Sequence, residues 1–352
     1  MDFTVGKAFD GLSLGDFLRR AGVGSGLLAH CKRVPRGILL NGRPVTVRAR
    51  VAAGDAVFLF AEDATENGAL LPADLPFEEL FCRGGVRVAG KPAGMPTHPS
   101  HGHREDTLAN ALKYRYGRED PAFCPRFVNR LDRDTTGTVL VAFDRYAAGY
   151  LSRAMAAGEI GKRYLALTAG RVPAGGRLVS GIRRERESII RRVAVPHPEI
   201  PFFVPATAGA GNRVPDFGHL PTGRDEKTPG FAGAEPAATA LEAWPAGTES
   251  AVTDFTVLCA CDTLSLLSLS PRTGRTHQLR VQLAALGHPI LGDSLYGSGS
   301  PLIARQALHA ASLTFPLPPD GERMMVRAPL PSDMAALVFE YFGKEGLARA
   351  ES

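Results

Sequence analysis

Two carboxylates and two guanidines crowd into residues 130–134 of the stretch Asn129-Arg130-Leu131-Asp132-Arg133-Asp134-Thr135-Thr136-Gly137. The glycine leads into Val139-Leu140-Val141-Ala142-Phe143, an apolar run that reads as a strand, so the acidic stretch is a loop at a strand edge, where a carboxylate can face solvent and substrate. A carboxylate there serves as a nucleophile when a neighbouring cation keeps it ionised. Asp, Thr and Gly are also ordinary turn residues, so other stretches of the chain must decide between chemistry and a plain turn.

One such stretch is Ser270-Pro271-Arg272-Thr273-Gly274-Arg275-Thr276-His277-Gln278-Leu279-Arg280, a cationic turn entering a helical pattern from Arg275 to Leu286 and then the Gly-rich run Gly287 to Gly297. Another is Gly161-Lys162-Arg163-Tyr164-Leu165-Ala166-Leu167, where Tyr164 sits beside two cations at the start of a strand. Upstream, Lys91-Pro92-Ala93-Gly94-Met95 is a Gly/Pro loop after a short strand, and Thr107-Leu108-Ala109-Asn110-Ala111-Leu112 opens a helix. His98, His101 and His103 lie in the loop between them without matching thiols or carboxylates, so no metal site is expected there.

Taken in order, these stretches resemble the motifs of the RluA family of RNA pseudouridine synthases, and the resemblance covers most of residues 85–315. It implies isomerisation of uridine within RNA, in which uracil leaves the ribose and rejoins it through carbon 5, with no cofactor and no redox change. Asp132 matches the family's catalytic aspartate; attack at the anomeric carbon, attack on the uracil ring and proton abstraction from the ribose all stay open as its role. Arg275 matches the arginine expected to pair with that aspartate, and Tyr164 the tyrosine expected to stack on the target uracil. Arg130 matches a position that helps extrude the nucleotide, as chemistry on a base requires. Leu279 matches the apolar residue packed at the site, and Lys91 and His98 fall in the family's opening loop as substrate-binding positions. His277 and Gln278 are expected to support the loop. The family usually has His where this chain has Asn129 and Ser where it has Thr136.

Two other readings compete. Asp132-Arg133-Asp134-Thr135-Thr136 also fits the D-x-D-x-T pattern of haloacid-dehalogenase-like phosphatases, but Asn129 and Arg130 interrupt the continuous apolar strand that precedes the pattern in those enzymes. A catalytically silent RNA-binding or ribosome-assembly protein would have no need of Asp132, Tyr164 and Arg275 together.

The elements that must hold these residues divide the chain. Residues 1–62 read as a small module: Leu14, Phe17 and Leu18 at helical spacing, basic Lys32-Arg33-Val34-Pro35-Arg36, then a strand and turn at Ile38 to Gly42 and a Gly54-Asp55 turn into Val57-Phe58-Leu59. This resembles the alpha-L RNA-binding module, the ribosomal protein S-four-like fold. Residues 63–80 read as a linker, and 81–352 as the catalytic domain with a Pro/Gly/Ala/Arg-rich surface insertion at about 172–251. Strands and helices do not alternate regularly, so the expected fold is α+β with a mixed, mainly antiparallel sheet.

Composition agrees. The 352-residue chain is 44% hydrophobic and 22% charged, without an apolar run near the roughly 20 residues of a membrane span. Its start, Met1 to Lys7, lacks the features of a secretory signal, and the five cysteines have no C-x-x-C spacing. A cytoplasmic monomer is expected. The net charge of +5 favours a polyanionic partner; the module tilts that partner towards ribosomal RNA, with transfer RNA still open.

Overall fold

The computed structural model describes residues 1–60, 70–188, 190–197, 200–206 and 244–352. They form two compact units, Met1–Leu131 with Thr138–Ile160 and Leu313–Val326, and Asp132–Gly137 with Gly161–Ser312 and Arg327–Ser352.

The first unit opens with β1 (Asp2–Thr4), α1 (Leu14–Arg20), α2 (Ser25–Cys31), β2 (Ile38–Leu40), β3 (Arg43–Pro44) and β4 (Ala56–Leu59). Ser13 caps α1 by accepting the Asp16 amide. Asn41 and Gly42 both take positive φ, 50° and 76°, which is the two-residue turn that joins twisted strands without splaying them. The Asn41 side chain also donates to Asp55 Oδ1 and accepts from Ala56 N, both at 2.8 Å, tying that turn to β4. The sheet runs β1-β4-β2-β3, over a core of Val5, Leu14, Phe17, Leu18, Leu27, Ile38, Val57 and Leu59.

The unit continues through β5 (Glu78–Arg83), β6 (Val86–Lys91), α3 (Leu108–Tyr116), β7 (Arg126–Phe127), β8 (Thr136–Ala142) and α4 (Arg145–Ala156). Tyr146 of α4 belongs to the core of the N-terminal module, and its hydroxyl meets Ala21 O at 3.3 Å. The module therefore has its own core yet packs as part of a larger unit, which the reading of residues 1–62 as a separate piece did not anticipate. Of the expected linker, 63–69 lie outside the described residues, and β5 already begins at Glu78.

The second unit contains β9 (Gly161–Ala169), β10 (Gly176–Arg184), β11 (Arg192–Val195), β12 (Phe203–Pro205), β13 (Glu249–Ala260), β14 (Leu264–Pro271) and α5 (Gln278–Ala285). Its strands run β11-β10-β13-β14-β9, all antiparallel. After α5 come β15 (Leu308–Leu317), β16 (Glu322–Arg327) and α6 (Ser332–Glu351). The first residues of β15 pair in parallel with those of β8, His309 with Thr136 and Ala310 with Gly137.

The α+β reading with mainly antiparallel pairing therefore stands, and the expected strands around Val139, Tyr164, Phe255 and Leu264 all form. The expected insertion at about 172–251 begins too early. Residues 176–184 are β10, with Leu178, Val179 and Ile182 buried and strands on both sides. Gly176, Gly181 and the arginines disguise it by composition, but Arg177 is neutralised by Asp254 at 2.6 Å. Residues 207–243 of that stretch lie outside the described residues.

Candidate active site

Asp132 sits in the loop between β7 and β8, and short polar contacts fix both ends of that loop. In the first unit Asn129 accepts from Leu140 N at 2.7 Å and donates to Thr138 O at 3.2 Å. Thr97 Oγ1 donates to Leu131 O at 2.9 Å and accepts from Leu131 N at 3.1 Å. In the second unit Asp132 O accepts from Thr135 N at 3.1 Å, Thr136 Oγ1 meets His309 Nδ1 at 2.9 Å, and Arg305 Nη1 donates to Asp134 O at 3.2 Å. Gly137 takes φ +113°, and a Cβ there would run into the backbone of Ala310. Only glycine lets β8 and β15 approach so closely. Asn129, where the family usually has His, supplies a donor and an acceptor from one terminal amide, and both are engaged in closing the loop. Asp134 is paired with its neighbour Arg133 at 3.0 Å.

The Asp132 side chain is 28% exposed and faces Arg280 Nη1 at 3.1 Å and His277 Nε2 at 3.8 Å. Arg280 is gripped from the other side by Asp293, Nε to Oδ2 at 2.7 Å and Nη2 to Oδ1 at 2.9 Å. The Asp293 side chain is fully buried, and its Oδ1 also accepts the amides of Leu295 and Tyr296. Burial opposes charge on both partners, but the hydrogen bonds and mutual attraction outweigh it: the Arg280 pKa is pushed up and that of Asp293 down. The guanidinium also lies over the Tyr296 ring, 5.2 Å from its centroid. One buried cation thus serves two carboxylates, the inner one fully coordinated and the outer one, Asp132, presented to solvent. Tyr164 on β9 is 9% exposed, and its hydroxyl pKa is raised by burial and then by the charge of Asp132, so it remains a phenol at neutral pH.

The expected pairing of Arg275 with Asp132 is corrected by this geometry. Arg275 lies in the turn before α5, where Nε donates to Ser250 O and Nη1 to Glu249 Oε1, each at 3.0 Å. Arg280, five residues on, is the partner. Charge alone could not choose among Arg272, Arg275 and Arg280. The usable signal was that Arg280 stands between Leu279 and Val281 in an apolar helix, where a buried cation demands a carboxylate. Asp293 and Tyr296, likewise not anticipated, sit in the Gly-rich run whose tight turns bring them back to that helix.

Buried amides set the position of α5. Gln278 Oε1 accepts from Thr273 Oγ1 and Arg275 N, while its Nε2 donates to Val252 O and Thr253 Oγ1. Gln282 accepts from Thr253 Oγ1 at 2.6 Å and donates to Ser180 Oγ and Ala251 O, each at 3.1 Å. These bonds pin the helix to β13 and β10, and Leu279 is buried beside them. Gln278 therefore supports the loop, as expected, and His277 in addition reaches Asp132. Lys162 is near the same turn, with its pKa lowered by burial and then by Arg275.

The remaining predicted residues belong to the first unit. Lys91 is 1% exposed, and its ammonium donates to Pro92 O at 2.8 Å and Met95 O at 2.7 Å. That is a loop-building role in place of the substrate contact expected of it. His98 packs edge-on against Phe127 with centroids 4.5 Å apart, and desolvation followed by the charge of Arg130 lowers its pKa. Arg130 is exposed, two residues before Asp132 in the chain.

Residues 86–285 match the model of the RNA pseudouridylate synthase family. The chain is 32% identical to the RNA pseudouridine synthase YhcT of Bacillus subtilis, with 87% of this chain and 85% of that protein aligned. It is 31% identical to the ribosomal large subunit pseudouridine synthase D of Xylella fastidiosa, over 86% and 80%. Among solved structures, the human RNA pseudouridylate synthase domain containing 4 superposes with a TM-score of 0.50 at 22% identity, covering 77% of this chain and 92% of that one, which supports the fold. The phosphatase and the catalytically silent readings are thereby set aside: the match runs through the Asp132 loop, the Tyr164 strand and the Arg280 helix, and the chain belongs to the RNA pseudouridylate synthase family, enzymes that isomerise uridine in RNA.

Proposed function

We propose that this enzyme acts on large-subunit ribosomal RNA, in the cytoplasm and as a monomer, with Asp132 as its reacting carboxylate. The observation that carries the assignment is the position of Asp132, partly open to solvent at the end of the buried Arg280–Asp293 pair. Arg280 supplies a counter-charge at 3.1 Å that aims the carboxylate. Tyr164 offers a flat amphipathic ring to the extruded uracil, and exposed Arg130 helps to hold the nucleotide out of its stack. In the overall change the bond from the ribose anomeric carbon to N1 breaks and one to carbon 5 forms, so the detached base must be retained and water kept away.

Ribosomal RNA is favoured by the relatives named for the large subunit. It is also favoured by the N-terminal module, whose exposed basic residues include Lys32, Arg33, Arg36 and Arg43. The test uses unmodified large-subunit ribosomal RNA and transfer RNA with wild-type and Asp132→Asn enzyme. Wild type is expected to form pseudouridine at discrete sites in the ribosomal RNA, and the variant to bind that RNA but form none. Modification of transfer RNA alone would overturn the substrate assignment; pseudouridine from Asp132→Asn would overturn the role of Asp132.

A further inference from the structure

Isomerisation at carbon 5 has a proton ledger that Asp132, Arg280 and Tyr164 do not balance. Once the ribose is joined to carbon 5, that carbon still carries its hydrogen. The C5–H bond must break, its electron pair returning to the ring, and N1 must end with a proton. Arg280 is held fully protonated between two carboxylates and can accept nothing. Tyr164 is a buried phenol. Asp132 regains its carboxylate once the ribose has passed to carbon 5, but a carboxylate is ordinarily a weaker base than an imidazole by about two pKa units.

His277 is the group left, and three features single it out. It is the residue before α5 and holds φ +59°, ψ 18°, a left-handed conformation that only a few per cent of residues other than Gly take, His more often than most. Strain of that kind persists where the surroundings enforce it, and it gathers at functional sites. Its Nδ1 lies 2.8 Å from the Tyr296 hydroxyl, which is itself anchored by Arg192 N at 2.8 Å. The two lone pairs of the Tyr296 oxygen can accept both the Arg192 amide and an Nδ1 hydrogen. In that tautomer Nε2 carries the free lone pair, and Nε2 is the atom 3.8 Å from Asp132 Oδ2.

We propose that His277 is the base that removes the C5 proton: Nε2 takes it as the C5–H pair returns to the ring, and the resulting imidazolium returns it to N1 or to solvent. The inference rests on Asp132 being the reacting carboxylate, since that is what places the uracil against Nε2. It holds for each of the routes open to Asp132, because all of them end with loss of the C5 hydrogen. The charged groups around the ring fit a transient cation. Asp132 and Asp293 favour it, Arg280 and Arg192 oppose it, and burial, the largest influence, keeps the resting imidazole neutral.

The test is single-turnover conversion of RNA carrying protium or deuterium at uracil carbon 5 by wild type, His277→Asn and Asp132→Asn. Asn tolerates the left-handed backbone, and circular dichroism and RNA affinity check that the variant is folded. A positioned general base contributes about 10²–10⁴-fold, so His277→Asn should slow turnover by at least about 100-fold. It should also show a C5 isotope effect larger than that of wild type, because deprotonation becomes the slow step. A wild-type rate, or a slow rate without the enlarged isotope effect, overturns the role of His277. Activity in Asp132→Asn overturns the reading of Asp132 instead, so the two failures are distinct.

Discussion

Arg280 and Arg275 offer a direct trial of the site's electrostatics, because the family resemblance implied Arg275 as the partner of Asp132 and the structure makes it Arg280. Arg280→Lys keeps a positive charge but replaces a planar fork by a single ammonium. The fork makes two bonds to buried Asp293, at 2.7 and 2.9 Å, and a third to Asp132 at 3.1 Å. A lysine there would satisfy Asp293, the carboxylate that cannot reach water, and leave Asp132 without its partner. A hydrogen bond to a charged group contributes about 1.5–3 kcal/mol, which at about 1.4 kcal/mol per decade is a loss of roughly 10- to 150-fold in kcat. Arg275→Ala removes a pair with Glu249, whose side chain is 63% exposed, and exposed pairs contribute at most about 1 kcal/mol. Its kcat should therefore fall less than about 5-fold, any further effect appearing in KM if RNA phosphate touches the turn. Single-turnover pseudouridine formation at saturating enzyme, with thermal unfolding of each variant, separates chemistry from folding. A larger loss of kcat in Arg275→Ala than in Arg280→Lys would refute the reasoning.

Other outcomes follow from groups outside the reacting set. His309 is buried between Thr136 and Ala328, and its pKa falls to about 4, chiefly through burial. The unfolded chain therefore binds this proton more readily than the native one. The stabilising contribution is complete above about pH 6.5 and is lost as pH falls from there towards about 4, with a ceiling of about 3 kcal/mol. His309→Gln should flatten the fall in stability across that window in denaturant titrations; an unchanged slope would count against it. Asn129→Ala should destabilise by about 2–3 kcal/mol, because it strips the Leu140 amide and the Thr138 carbonyl of partners at 2.7 and 3.2 Å. A melting temperature equal to wild type would show that Asn129 does not close the loop.

The sequence by itself determined the class of fold, the strands and the loop that carries Asp132, because these are local matters. Apolar runs bounded by Gly, Asn and Asp specify strands and turns wherever they occur, and Thr107 marks a helix start through contacts within one turn. The resemblance carried by the order of the motifs pointed to Tyr164 and Leu279, which lie on β9 and α5. Only the tertiary structure decided which arginine meets Asp132, that Asp293 stands behind it, and that Lys91 builds a loop. Several arginines of equal charge lie within nine residues, from Arg272 to Arg280. The choice among them depends on a helix pinned through Gln278 and Gln282 to strands some 25 to 102 residues away in sequence. Residues 176–184 were likewise hidden, because glycine and arginine look like loop until Asp254, 77 residues on, neutralises Arg177 inside a sheet. Local composition records what a segment prefers, but a buried charge is decided by the partner that long-range packing brings to it.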